Sequence, residues 1–151
     1  MTWRPALLVL GLLAGLPAAA AAQRLELTIT PSVINFPPAD PDASPVILSA
    51  PITVTYRIRQ SPGPWQMTVL ASGDLMSGSS TVDISNVSWV ASPAPPFRDG
   101  TLNHTVAQIM ATGEGNVNPT RHGSVTFRLK NSWTYDTGTY TQTIVFTLST
   151  P

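Results

Sequence analysis

The chain contains no cysteine, and only 11% of its 151 residues are charged. Without a thiol there is no disulfide framework, no zinc ribbon, no cysteine nucleophile and no attachment point for a bacterial lipid. The 8 basic side chains are balanced by 8 acidic ones. Such totals argue against nucleic acid or anionic lipid as the main partner, because phosphate binding is built from clustered Lys and Arg. Catalytic patterns are missing as well: there is no Gly-x-Ser-x-Gly, phosphate loop or dinucleotide fingerprint. Histidine is scarce, with only His104 and His122 present, both in polar, turn-like surroundings and outside any ligand spacing. The carboxylates are scattered, and nothing pairs two of them across a cleft as glycoside hydrolysis requires. These absences lead us to expect a non-enzymatic protein with no metal and no cofactor.

What is present points first to a compartment. Residues 1–22 have the three parts of a secretory signal peptide: a short positive start at Arg4, an apolar run from Leu7 to Leu16, and small side chains from Ala18 to Ala22 after Pro17. The apolar run is shorter than the ~20 residues that a membrane span needs. Cleavage before Gln23 leaves residues 23–151 as a single exported domain with no integral membrane span. The expected location is secreted, extracellular or at the cell surface, with the periplasm as the other exported compartment.

The remainder reads as one β domain. Proline is abundant, at 15 residues, about twice the usual share of ~5%, which suits turns and edge strands and opposes long helices. Apolar residues alternate with polar ones, the period of a strand with one buried face. Leu25, Leu27 and Ile29 form one such set; Ile52, Val54, Tyr56 and Ile58 a second; Trp65, Met67, Val69 and Ala71 a third. Val82 and Ile84 share one parity and Val87 and Trp89 the other, which predicts a break near Ser85 and Asn86. A weaker strand is expected around Val106 to Met110, then a polar loop through Gly113, Gly115 and Pro119, then Val125, Phe127 and Leu129. Tyr140, Ile144, Phe146 and Leu148 close the chain against alternating threonines. The expectation is an all-β, immunoglobulin-like antiparallel sandwich of about seven to eight strands.

The aromatic residues divide into two groups. Trp65 and Trp89 lie among inward-facing neighbours and are expected in the core. Trp133 and Tyr135 lie two apart in the polar stretch before Gly138, where indole and phenol rings can serve as a platform for sugar rings or for a partner. They are the candidate glycan or partner contacts.

Two segments resemble the signature regions of the WxL surface domain: Pro64 to Val69, containing Trp65-Gln66-Met67, and Gly138 to Pro151, containing Phe146-Thr147-Leu148. Met67 stands where that family has leucine, and Phe146 where it has tryptophan. The resemblance implies a β-rich module of exported proteins that attaches to the cell wall, with cell-wall glycan or other envelope proteins as partners. A different reading takes the amphipathic strand from Arg24 to Thr30, with Leu25, Leu27 and Ile29 inward, as a donor strand. On the long tether that follows, it would complete a neighbour's sheet in a self-assembling pilus or fibre. A carbohydrate-binding module using Trp133 and Tyr135 is the third reading.

Overall fold

A computed structural model describes residues 23–150; the signal peptide assigned to residues 1–22 lies outside the described residues. Strands occur where apolar residues alternate. β1 (Arg24–Thr30) turns Leu25, Leu27 and Ile29 inward, β3 (Ile52–Arg59) buries Ile52, Val54, Tyr56 and Ile58, and β4 (Pro64–Ala71) buries Trp65, Met67, Val69 and Ala71. The remaining long strands are β7 (Val87–Ser92), β9 (Gln108–Glu114), β10 (Val117–Lys130) and β11 (Ile144–Ser149). Short strands fill the gaps: β2 (Val46–Leu48), β5 (Leu75–Ser77), β6 (Ser80–Val82) and β8 (Gly100–Thr101).

The elements form an all-β antiparallel sandwich. One sheet runs β1-β3-β10-β7-β8, with β2 also paired to β10, and the opposing sheet runs β11-β4-β9. Trp89, Phe127, Ile58, Met67 and Met110 are fully buried between them. The order β1-β3-β10-β7 matches A-B-E-D of the immunoglobulin sandwich, and β4 and β11 match C and F. Two departures follow from the register. β9 pairs with β4 on the side away from β11, and no described strand lies beyond β11, where an immunoglobulin domain has its last strand G.

Strand β10 is long enough to serve two partners in turn. Its first half pairs with β3 and its last residues pair with β2, so β2 and β3 behave as one strand interrupted at Ser49-Ala50-Pro51. Proline cannot continue the ladder as a donor. Ser49 bridges the break instead: its N–H donates to the Phe127 carbonyl at 2.9 Å, and its hydroxyl accepts from the Phe127 N–H at 3.0 Å.

The expected break near Ser85 and Asn86 is a 3₁₀ turn, Ile84–Asn86, capped by the Asp83 carboxylate accepting from the Ser85 N–H at 2.8 Å. Two local expectations are corrected. The polar passage through Gly113 and Pro119 is mostly strand, not loop: β9 runs to Glu114 in the smaller sheet, Gly115 turns at φ +68°, and β10 starts at Val117 in the larger sheet, with a register shift around Pro119. Conversely, Thr139 to Thr143 precede β11 and are not part of it: Thr141 bridges Met76 of the β5–β6 hairpin, and the Thr143 carbonyl accepts from the Ser72 N–H at 2.9 Å.

Candidate functional site

The two edge strands β1 and β11 come from opposite sheets and stand on the same side of the sandwich. At one end they close: the Thr150 hydroxyl donates to the Gln23 side-chain carbonyl at 2.9 Å, and the two strands touch. At the other end they part over a cleft of about 390 Å³. Ile29 of β1 and Ile144 and Phe146 of β11 form its sides, and Phe127 of β10 forms part of its lining. Two loop segments roof it. Residues 31–36 send Ile34 and Phe36 onto the core, and Tyr140 is held by its hydroxyl donating to the Asp136 carbonyl at 3.0 Å.

The roof is held by side chains more than by main chain. Among the described residues no main-chain hydrogen bond ties residues 31–38 to another element. The following residues are anchored by Asn131, whose amide donates to the Ala39 and Ser44 carbonyls at 3.0 and 3.1 Å. Leu25, Leu27 and Ile29 are each only half-buried, and so are Ile144, Phe146 and Leu148 opposite them. An inward-facing apolar row covered on one side only is characteristic of a strand lacking a neighbour. In this structure all seven residues of β1 pair with β3 of the same chain, from Arg24 with Arg59 to Thr30 with Thr53.

Trp133 and Tyr135 have different surroundings. The Trp133 ring is 67% exposed, and its indole N–H donates to the Asp42 carboxylate at 3.0 Å, which fixes the ring with its surface toward solvent. Asp42 is itself part of a turn in which the Asp40 carboxylate accepts from the Asp42 N–H at 2.8 Å. Tyr135 is half-buried, and its phenol is held above its ordinary pKa, first by burial and then by the negative charge of Asp83. Trp133 therefore reaches toward the 40–45 loop, Tyr135 is half-buried, and the two rings do not stack on one another.

The remaining candidates have structural neighbours. Trp65 and Trp89 are buried, and the Trp89 N–H donates to the Arg98 carbonyl at 2.9 Å. His122 is exposed on β10 with Nδ1 3.0 Å from the Thr55 hydroxyl, and His104 lies 3.4 Å from Asp74. Among the described residues no three His, Asp or Glu side chains converge as a metal-binding group, and no helix is long and apolar enough to cross a membrane.

The seam was only partly legible in advance. Alternation located β1 and β11, but which strands become neighbouring edges is decided by topology, which periodicity does not carry. The segments Trp65-Gln66-Met67 and Phe146-Thr147-Leu148 lie side by side on β4 and β11, with Met67 opposite Leu148 and Val69 opposite Phe146. No family model matches the chain, and no curated protein matches it.

Proposed function

We propose that the protein is a secreted, non-catalytic component of the cell surface or envelope, and that it acts by association through strand pairing at the β1/β11 seam. The observation that carries this reading is the unfilled position beyond β11: two edge strands flank it, their apolar rows are half-covered, and a cleft of about 390 Å³ lies beneath. An extended segment entering there would gain main-chain hydrogen bonds along an edge and place alternate side chains in the cleft, the usual logic of strand addition. The signal-peptide pattern and the resemblance to WxL surface domains support the location and the non-catalytic role, with other envelope proteins or cell-wall glycan as partners.

The test exploits the absence of cysteine. In Gln23→Cys/Thr150→Cys, a short bis-maleimide bridges the two strand ends across the seam. Light scattering of the signal-cleaved protein should show concentration-dependent assemblies that the bridged form cannot make. Assemblies of equal size from the bridged protein, or a native protein that stays monomeric and takes up no extended peptide, would sink the proposal.

A second reading is favoured by one further observation: β1 has β3 as its one strand-pairing partner and leads into residues 31–38, which among the described residues lack main-chain hydrogen bonds to other elements. That arrangement suits β1 as a strand donated to a second copy, which would make the protein a self-assembling fibre subunit. Deleting residues 23–30 should then abolish polymers while leaving the subunit able to accept a free peptide of the sequence Arg24–Thr30. A folded deletion variant that still polymerises contradicts donation through β1.

A further inference from the structure

The neutral total conceals a segregation of sign. Arg24, Arg57, Arg59, Arg128 and Lys130 all stand on the outward face of the larger sheet; among the described residues the strands of that face carry one carboxylate, Glu26, and Asp99, just before β8, accepts from the Ala91 N–H at the sheet's edge at 2.9 Å. Glu26 is already engaged, 2.9 Å from Arg59 and 3.5 Å from Arg24. The other described carboxylates lie elsewhere, five of them in the loops at 40–42, 74, 83 and 136.

The cations form two groups on one surface. Arg57 and Arg59 occupy the end near the β3–β4 turn, where Arg57 donates to the Asn118 side chain at 2.9 Å. Arg128 and Lys130 occupy the other end, where the register sets Arg128 beside Ser88 and Ser88 beside Thr101. Together with Ser85 and Asn86 these residues line an open pocket of about 390 Å³ with no carboxylate in its wall. Neither Arg128 nor Lys130 has an acidic partner among the described residues. Between the two groups the face carries hydroxyls: Thr28 opposite Thr55, Thr30 opposite Thr53, and Ser124 opposite Ser92. Along β10 the distance from Asn118 to Lys130 is roughly 35–40 Å at ~3.3 Å per residue.

We propose that this face binds an anionic polysaccharide, a chain of sugar or polyol units carrying carboxylates or phosphates, with one anionic group seated between Arg128 and Lys130. A guanidinium offers a planar fork that fits either anion, and the ammonium adds a point charge beside it. The hydroxyl band meets the polyol between charges, and the Arg57/Arg59 group engages a second anion further along. Nucleic acid fits less well, because among the described residues no Phe, Tyr or Trp projects from this face to stack on a base. This surface lies on the outside of the sheet, apart from the β1/β11 seam, so the two proposals stand or fall separately.

The experiment is affinity electrophoresis and titration of the signal-cleaved protein with polygalacturonate, a glycerol-phosphate polymer, neutral dextran and single-stranded DNA, at low and raised salt. Both polyanions should retain the protein at low salt and release it as salt screens the exposed charges, and dextran should not retain it. Arg128→Gln/Lys130→Gln should weaken binding about tenfold, from two exposed ion pairs. Trp133→Ala should leave it unchanged, and so should the bridged Gln23→Cys/Thr150→Cys protein. Both altered side chains are exposed, and circular dichroism checks that the variant keeps its β spectrum. Three results would each overturn the proposal: no retention by either polyanion at low salt, unaltered affinity of the folded double variant, or DNA bound as tightly as the polysaccharides.

Discussion

Gly113→Ala should destabilise the sandwich, because Gly113 on β9 lies directly opposite Trp65 on β4 and the indole lies over it. A Cβ at position 113 would stand 2.5 Å from Trp65 Cζ2, 2.7 Å from Cε2 and 2.9 Å from Nε1. The ring has little freedom to retreat, since Trp65 is 4% exposed and packs at a centroid distance of 5.3 Å against Tyr56. Overpacking of this kind costs ~1–3 kcal/mol. The unfolded chain becomes stiffer with alanine, which returns ~0.4–1 kcal/mol, so the net loss is ~1–2 kcal/mol. For a domain of this size that lowers the thermal midpoint by ~4–8 °C and the urea midpoint by ~0.5–1 M. Urea unfolding followed by tryptophan fluorescence measures it. Gly63→Ala is the control: nothing lies within 4 Å of its Cβ position, so it should be neutral or slightly stabilising. In the Gly113→Ala background, Trp65→Phe should recover part of the loss, because a smaller ring leaves room for the methyl. A Gly113→Ala protein as stable as Gly63→Ala would refute the argument that the indole needs a bare backbone opposite it.

Ser49→Ala should cost ~1–3 kcal/mol, because it leaves the buried Phe127 N–H without its acceptor at the β2–β3 break; chemical denaturation checks this, and an unchanged midpoint counts against it. Asn131→Ala should free residues 39–44 from the end of β10, seen as faster proteolytic cleavage in that loop with the global midpoint changed much less. Burial raises the Tyr56 phenol above 10.0, and Arg121 partly opposes the shift. The neutral phenol is therefore favoured in the folded state, its contribution is intact below pH 10 and is lost as pH rises further. Tyr56→Phe should flatten this alkaline loss while leaving stability near neutral pH almost unaltered.

Periodicity exposes some parts of this fold and hides others. β1, β3, β4 and β11 alternate cleanly because each has one buried face, and a period of two records that. The passage from β9 to β10, where the chain crosses from the smaller sheet to the larger, is obscure for an identifiable reason. Gly113 reads as a loop residue and Gly123 adds nothing to an alternating pattern, yet each sits in a strand where a facing aromatic ring, Trp65 or Phe97, takes the volume a side chain would have filled. Gly100 does the same beneath Trp89, its partner across β7 and β8. A glycine paired across strands with an aromatic is thus a strand signal, but only after the register is known. Thr139 to Thr143 present the opposite case: they alternate like a strand, yet their main-chain bonds are limited to Thr141 with Met76 and the Thr143 carbonyl accepting from the Ser72 N–H at 2.9 Å.

The same dependence on register governs the candidate surfaces. Trp133 and Tyr135 are two apart in sequence, yet Trp133 is exposed and tied to Asp42 while Tyr135 is half-buried, so sequence proximity does not give the two rings one environment. Arg57 and Arg128 are 71 positions apart and still occupy one sheet face, because β3 and β7 flank the same strand β10 and outward parity is kept across all three. Charge totals of 8 and 8 are blind to that parity, since moving every cation one residue along its strand would leave the totals unchanged and turn the cations to the inward face. Strand register therefore decides which cations share a surface, and topology sets β1 and β11 as the edge strands on one side of the sandwich, where the proposed strand addition would take place.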